Sequence, residues 1–508
     1  MFHFHIIKTK ISAVVHAHPQ RIYLSALLLD LLALAANQLA IHSSTFADAY
    51  SHYVYRVLSL GIGSVTGLLP FSVVELLLYA TILFVLFDFV KQLRRAIRAA
   101  VEYLRPAPAA QPRAGGVSQI FPPQADAARP THLLATIARP LRRFLGHLFL
   151  ILSALLVLYV FLCGINYHRT SFSQEAGLSV TLDKHGTVYD EADLIALCDY
   201  LVTEINATEA QLAASVTSDA NADVLRGHTS ANAGAAGTTT ESPAATESLD
   251  ATAEASGPSG TDTASASATE SPAATAEASS TSGADETTGA AIQVEGAFIG
   301  QTMETPKASA AWLWHAGRTG QRAMEKLGQR YRRLSGHYPF PKPILNTWLL
   351  SVQQTTGVYS PFTVEANYNR DIAYYDIPFT ICHELSHLRG YMQEEEANFI
   401  GVLATIDADD LYFNYSGYVS AWVYAGNALA RIDSSAFATL YGRINARTRQ
   451  DMLYNNAYWK QFEGKPAEAH EQLNDAYLKI QGQATGVRSY GHVTDLMLEY
   501  FAKNGTLT

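Results

Sequence analysis

The sequence predicts a mostly helical α+β protein, in which three N-terminal transmembrane helices precede a domain that lies outside the cytoplasm. The first observation behind this is composition: 48% of the 508 residues are hydrophobic, only 16% are charged, and the mean hydropathy is +0.03. A soluble protein of this length carries more charge, so the composition indicates a membrane protein with soluble parts. The second observation is that the long apolar runs all lie before residue 166.

Three apolar runs, at 22–41, 70–90 and 144–165, supply the predicted membrane spans. Each reaches or approaches the roughly 20 residues that a helix needs to cross about 30 Å of hydrocarbon. Charges are nearly absent within the runs, which argues against buried helices of a soluble core. We therefore assign residues 1–165 to a membrane domain with a cytoplasmic loop at 91–143.

The basic residues of the short loops predict the orientation, because positively charged loops stay in the cytoplasm. The loop between spans one and two has only Arg56, whereas the next loop carries Lys91, Arg94, Arg95, Arg98, Arg105, Arg113, Arg129, Arg139, Arg142 and Arg143. We expect a multi-pass protein of the cell membrane with its N-terminus inside and everything after residue 165 outside. The sequence Ala33-Leu34-Ala35 resembles a signal-peptidase site, so the first span is either retained or a cleaved signal.

Charge and cysteine content indicate which classes of partner and of cysteine site are expected. The net charge is −10 and the basic residues crowd the N-terminal third, so membrane lipids are expected as partners and nucleic acid is not. Three scattered cysteines, Cys163, Cys198 and Cys382, are too few for a disulfide framework or a cysteine-based metal site. The sequence does not indicate an oligomeric state.

A low-complexity segment interrupts the rest of the chain. Residues 208–293 consist mainly of Ala, Thr, Ser, Glu and Gly, and the sequence TESPAAT occurs at 240–246 and again at 269–275. Such a segment buries too little apolar surface to offset its ordering entropy, which predicts a disordered insertion. It is either an extended spacer or an expansion tolerated in a surface loop. Residues 166–207 and 294–508 then form one extracytoplasmic domain, with a helix at 308–331 and a strand within 363–368.

The strongest chemical signal is His383-Glu384-Leu385-Ser386-His387. Asp376 as N-cap, Pro378 in the first turn and Gly390 as a left-handed stop predict a short helix around it. Histidines four residues apart project from one face and can both reach one Zn²⁺ at about 2.0–2.1 Å. Glu384 then stands beside the metal-bound water as the general base.

A zinc site of this kind needs a third protein ligand, and a run of glutamates follows Gly390. Glu394, Glu395 and Glu396 begin a second predicted helix that ends near Ile406. Glu394 shares a helix face with the small residues Ala397 and Gly401, which would let the two helices approach, so we predict Glu394 as the ligand. Glu395 is either the competing ligand or part of a solvated first turn, and Asn398 could hold a ligand histidine by a hydrogen bond.

The chain resembles a family of bacterial multi-pass membrane proteins of unknown function that carry a zincin-like HELxHxxG…ExEANF core. Beyond that core, the resemblance rests on segments spread over most of the chain outside the insertion, namely 69–72 with Glu75, 164–169, 357–367, 378–399, 415–418 and 473–501. The segment with Glu394 is also similar to the third-ligand segment of gluzincin peptidases. The spacing differs from that of classical gluzincins, since Glu394 follows His387 by only seven residues.

The resemblance implies a zincin-like metallopeptidase domain. In such folds a strand before the zinc helix, here 358–369, lines the cleft and pairs with extended substrate. Tyr490, His492 and Arg488, and more remotely Tyr415 and Tyr418, become candidate oxyanion donors, although structural roles are favoured for each. The predicted activity is that of a membrane-anchored zinc metallopeptidase acting on a peptide or envelope protein. The alternatives are a non-catalytic, zinc-stabilised envelope binding or scaffold protein, and a zinc amidase acting on cell-wall amide bonds.

Overall fold

A computed structural model describes residues 19–104, 129–178, 189–217, 308–480 and 491–508. The chain divides into two compact units. Of the described residues, the first unit comprises 19–58, 72–104, 129–169 and 361–363, and the second comprises 59–71, 170–178, 189–217, 308–360, 364–480 and 491–508. The described part is mostly helical, with one three-stranded sheet, as the composition and periodicity predicted.

The first unit is built from three long helices, α1 (Pro19–His42), α4 (Val73–Leu104) and α5 (Arg129–Leu162). Between α1 and α4 lie α2 (Ser44–Tyr50), a π-helical turn (Ser51–Tyr55) and α3 (Arg56–Thr66), whose last eight residues belong to the second unit. A 3₁₀ turn (Gly164–His168) follows α5. Three stretches, Ile22–His42, Val73–Tyr103 and Ile137–His168, are long and apolar enough to cross a membrane. They overlap the three predicted spans.

Two polar contacts join the long helices of the first unit. Ser153 of α5 donates a hydrogen bond of 2.6 Å to Asp30 of α1. His147 of α5 lies 2.8 Å from Asp88 of α4, and Gln92 donates to the same aspartate at 2.9 Å. Polar groups in lipid-spanning helices are normally buried between helices and paired in this way.

The second unit contains the sheet, with strands β1 (Lys342–Pro343), β2 (Gly357–Ser360) and β3 (Glu365–Tyr368) in the order β1-β3-β2. β1 runs parallel to β3, and β2 runs antiparallel to it with Val358 opposite Asn367. The predicted strand within 363–368 is therefore present as β3. The single edge strand predicted at 358–369 is wrong, because this segment forms β2 and β3 joined by a turn at 361–364, and only β2 lies at an edge. All four residues of β3 are buried, because β3 is the central strand and also packs against a helix.

The remaining helices of the second unit surround this sheet. They are α6 (Phe172–Glu175), α7 (Glu191–Thr217), α8 (Ala310–Arg330), α9 (Trp348–Ser351), α10 (Asp376–His387), α11 (Glu394–Ile406), α12 (Leu411–Ile432), α13 (Ser434–Arg443), α14 (Ala446–Lys460), α15 (Lys465–Ile480) and α16 (Gly491–Asn504). α10 packs against α8, α11, α12 and the sheet, so it lies at the centre of the unit. The helix predicted at 308–331 is α8.

The beginning of the low-complexity segment differs from the prediction. α7 continues to Thr217 and Thr208 is buried, so residues 208–217 are helical rather than part of a structureless insertion. Helix-compatible Ala, Glu and Leu residues in 208–214 explain why composition alone placed the boundary too early. The rest of the predicted insertion lies outside the described residues.

Candidate metal site

Helix α10 carries the His383–His387 pentapeptide near its C-terminal end. Gly390 has φ +84°, which confirms the predicted left-handed stop after the helix. The predicted N-cap role of Asp376 is wrong, because Asp376 is itself the first helical residue and the preceding Tyr375 makes no side-chain cap. Asp376 is instead buried, and desolvation raises the pKa of its carboxyl to about 7.

The two histidines face each other across one turn of α10. Their Nε2 atoms lie 3.2 Å apart. His387 Nδ1 donates a hydrogen bond of 2.6 Å to the Tyr391 carbonyl, and because a carbonyl can only accept, the ring proton is on Nδ1. The Nε2 lone pair of His387 therefore points into the space that it shares with His383, as a metal-ligating imidazole requires.

Glu394, the first residue of α11, brings a carboxylate to the same point. Its Oε2 lies 3.3 Å from His383 Nε2, and its Oε1 lies 3.8 Å from His387 Nε2. His383, His387 and Glu394 form a group whose ligand atoms all lie within 4.8 Å of one another and could hold a metal ion. Ligands about 2.0–2.1 Å from a tetrahedral zinc lie roughly 3.3 Å apart, so the observed spacings fit such an ion.

A close approach of α11 to α10 makes this convergence possible. A Cβ added to Gly401 would lie 3.1 Å from Phe379 Cε2 and 3.4 Å from the backbone nitrogen of His383. A larger residue at this position would push the helices apart. The small-residue face predicted for α11 is thus the face that contacts α10.

The charges of the three ligand residues are set by burial and by one another. Burial lowers the pKa of His387 to about 4, so this imidazole is neutral at pH 7. Burial also acts to lower the pKa of His383, but the Glu394 carboxylate outweighs it and the pKa is raised. Burial acts to raise the pKa of Glu394, and the two histidines reverse this, so its pKa is lowered. The site therefore holds an ionised carboxylate beside imidazole nitrogens.

Glu384 supplies a second carboxylate that is outside the group of ligands. Its Oε1 lies 4.0 Å from His383 Nε2, the side chain is buried, and desolvation raises its pKa to about 8. Strand β2 covers it, and the backbone of Tyr359 hydrogen-bonds to it. A Cβ at Gly357 would lie 2.5 Å from Glu384 Oε1, so only glycine lets the strand pass this close.

The three consecutive glutamates have three different environments. Glu395 is 2% exposed, so its interpretation as a solvated first-turn residue is wrong. Glu396 is also buried, and its Oε1 accepts a hydrogen bond of 2.5 Å from the Phe172 backbone nitrogen. Among the described residues, the group that could hold a metal contains Glu394 and neither of its neighbours. Successive residues of a helix are rotated by about 100°, which explains the divergence.

The other sequence-predicted residues are placed as follows. Asn398 is buried and is among the side chains that raise the pKa of His383, as its predicted role beside a ligand requires. The Tyr415 hydroxyl donates a hydrogen bond to Asp451 and accepts one from Thr448, and the Tyr418 ring packs against Tyr200, so both contribute to helix packing. His492 lies in the first turn of α16 with Nδ1 3.7 Å from Asp495. Arg488 and Tyr490 lie outside the described residues.

Sequence reasoning missed the residues that hold the ligands in place. The Tyr391 carbonyl orients His387, and the Tyr391 hydroxyl donates to Glu175, which also accepts a 3.1 Å hydrogen bond from the Arg333 backbone nitrogen. Phe172 packs edge-on against Tyr391 and Phe399. The backbone acceptor has no sequence signal, and Glu175 precedes Tyr391 by 216 residues. Only Tyr391, directly after the helix stop, could have been suspected.

Comparison with known proteins identifies a family. Residues 131–256 and 274–498, more than half of the chain, match the model of a family described as "Protein of unknown function (DUF3810)". No curated protein and no solved structure is significantly similar to the chain. The chain therefore belongs to the DUF3810 family.

Proposed function

We propose that this member of the DUF3810 family is a membrane-anchored zinc metallopeptidase that hydrolyses peptide bonds on the extracytoplasmic side. One observation carries the proposal. His383, His387 and Glu394 converge with the spacing of a metal shell, while a further carboxylate, Glu384, lies beside them without joining the group. Three protein ligands leave a coordination position open, as catalytic zinc sites do.

The donor set supports zinc as the metal. Two imidazole nitrogens and one carboxylate oxygen are the ligands of several zinc peptidases, and they suit zinc better than the hard, oxygen-binding Ca²⁺ or Mg²⁺. When bound, zinc would supply a Lewis acid that polarises a peptide carbonyl and makes water more acidic at neutral pH. A purely structural zinc site usually has four protein ligands, and the described residues bring three together.

The remaining residues support hydrolysis. In its ionised form, which a cation bound by the three ligands would favour over the buried neutral acid, Glu384 is placed to accept a proton from the attacking water and to return it to the leaving amine. β2 is an edge strand of the sheet, and its Tyr359 ring centroid lies 6.0 Å from that of His387. An extended peptide that pairs with this edge would therefore run past the ligands. The three candidate spans and the basic loop at 91–143 favour an extracytoplasmic domain.

Isosteric removal of the base tests the proposal. Purified full chain in nanodiscs, with zinc measured by mass spectrometry, is incubated with a peptide library and in parallel with cell-wall muropeptides. We expect the native chain to cleave peptides, and Glu384→Gln to retain zinc but lose cleavage. The matched control Glu463→Gln, at an exposed position of the same unit, should retain both.

Several outcomes would contradict the proposal. Cleavage that survives Glu384→Gln at the native rate would exclude Glu384 as the base. Hydrolysis of muropeptide amides without peptide cleavage would favour the amidase alternative. Zinc-loaded native chain that cleaves neither substrate would favour the binding or scaffold alternative.

A further inference from the structure

The end of α3 and the loop after it, residues 59–71, are fixed in the second unit by close contacts. A Cβ at Gly63 would lie 2.7 Å from Pro339 Cγ, so this helix face is packed tightly against residue 339. The carbonyl of Thr66 accepts a hydrogen bond of 2.6 Å from Lys342 Nζ. Lys342 is itself buried and ion-paired with Glu365 of β3. The segment is therefore attached to the sheet that borders the candidate site.

The opposite side of this segment is apolar and exposed. Val65 is 68% exposed, Leu68 82% and Leu69 40%. No charged residue occurs between Arg56 and Glu75. A second exposed apolar side chain is nearby, because Trp314, 57% exposed, stacks on Phe340, which directly follows Pro339. Exposed apolar side chains that cluster without charged residues mark an interaction site.

The position of residues 65–69 in the chain indicates that the partner of this surface is the membrane. Leu69 precedes Val73 by four residues, which span at most about 14 Å of extended chain. Val73 is the first residue of a candidate membrane span. Residues 65–69 therefore cannot lie far from the bilayer surface at which that span begins. Exposed tryptophan is also the residue that membrane interfaces favour.

We propose that Val65, Leu68 and Leu69, together with Trp314, insert into the headgroup and upper acyl region of the leaflet where α4 begins. This lipid-binding face gives the second unit its own contact with the membrane, in addition to the covalent links to the spans. The inference does not depend on zinc or on peptidase activity.

Lipid contact can be measured at single labelled positions. The three native cysteines are all buried, so an introduced exposed cysteine can be labelled selectively with an environment-sensitive fluorophore. Val65→Cys and Leu68→Cys are compared with Leu473→Cys, a matched exposed leucine on α15 that is 71% exposed. The full chain is reconstituted into nanodiscs with ordinary or dibrominated phosphatidylcholine. We expect brominated lipid to quench the labels at 65 and 68 several-fold more than the label at 473.

The same samples separate lipid from other occupants. Equal quenching of all three labels by aqueous iodide, with none by brominated lipid, would overturn the proposal. If the labels at 65 and 68 are shielded from both iodide and brominated lipid, and only in discs that hold two chains, a second copy of the chain covers this face. Circular dichroism of each variant verifies folding, and because positions 65 and 68 are tested separately, failure of one variant leaves the other decisive.

Discussion

Two of the described groups in which histidine meets a carboxylate, one in each unit, differ in how completely their polar atoms are paired. In the first unit, one histidine, His147, lies 2.8 Å from Asp88, and Gln92 donates to the same carboxylate. In the second unit, two histidines share Glu394, and their Nε2 atoms face each other at 3.2 Å.

The difference separates a closed structural pair from a group that could hold a metal ion. Asp88 has a donor for each oxygen, so the first cluster is a closed pair that joins two helices. In the second group, two imidazole nitrogens and a carboxylate bring their ligand atoms to one point, where a single cation could bind all three. A histidine and a carboxylate at contact distance are therefore weak indicators of function, whereas convergent lone pairs are strong ones.

The largest expected effect comes from removing a ligand from the open group, which consists of His383, His387 and Glu394. Glu394→Gln removes an anionic ligand and should weaken zinc binding by more than about 100-fold, since even residues that only support ligands affect affinity by about 10–100-fold. Asp88→Asn, the equivalent change in the closed pair, should leave zinc affinity unchanged. Zinc per chain after mild chelation measures both.

The same zinc measurement on variants of the two neighbouring glutamates tests whether Glu394 is the third ligand. Glu395→Gln and Glu396→Gln should retain zinc, because neither carboxylate belongs to the group of described residues that could hold the metal. If Glu394→Gln kept its full zinc content and Glu395→Gln lost its zinc, the third ligand would be Glu395 and not Glu394.

A smaller effect is expected where the open group meets the sheet. Gly357→Ala places a methyl group 2.5 Å from Glu384 Oε1, so the strand or the base must shift. Under the proposed peptidase function, a displacement of about 1 Å lowers turnover by up to roughly 100-fold while zinc, held by other residues, remains bound. Gly442→Ala, where a Cβ meets nothing within 4 Å, is the control. Unchanged turnover in Gly357→Ala would exclude Glu384 as the base or β2 as the substrate strand.

The buried Asp376 should make stability depend on pH. Its pKa is about 7 in the folded protein against an ordinary value of 3.8. Between these values the folded state binds the extra proton, so the free energy of unfolding falls as pH rises through this window and then levels off. Asp376→Asn should therefore raise the melting temperature by several degrees at pH 8 and change it little at pH 4. An increase in melting temperature that is equal at both pH values would show that Asp376 is not the titrating group.

The smallest effect is expected in the closed pair. A double-mutant cycle of Asp88→Asn and His147→Gln should give a coupling of about 0.6 kcal/mol, typical of hydrogen bonds between membrane helices. The free energy of unfolding in bicelles, measured by steric trapping, gives this number. A coupling of several kcal/mol would mean that the first unit also contains a strained or functional polar site.

The sequence predicted what local patterns specify. Histidines four residues apart, the left-handed Gly390 and the acidic start at Glu394 define two short helices and their facing sides, because helical geometry follows from spacing. Asp376 was misassigned as a cap because burial, which sequence does not reveal, moved it inside the helix. The bond from Tyr391 to Glu175 joins distant parts of the chain and could not be predicted without the tertiary structure.

That distant pairing also has a consequence for the order of folding. Tyr391 and Glu396, on either side of Glu394, bond to Glu175 and Phe172, which lie 216 and 224 residues earlier in the chain. Contacts of such high sequence separation form late, and an N-terminal segment is synthesised long before its partner. The ligands should therefore acquire their final geometry, and the capacity to bind metal, near the end of folding. Each doubling of the chain length between residues 175 and 391 adds only about 0.6 kcal/mol to the entropic cost of bringing them together. A long segment between them therefore changes the free energy of forming these contacts little.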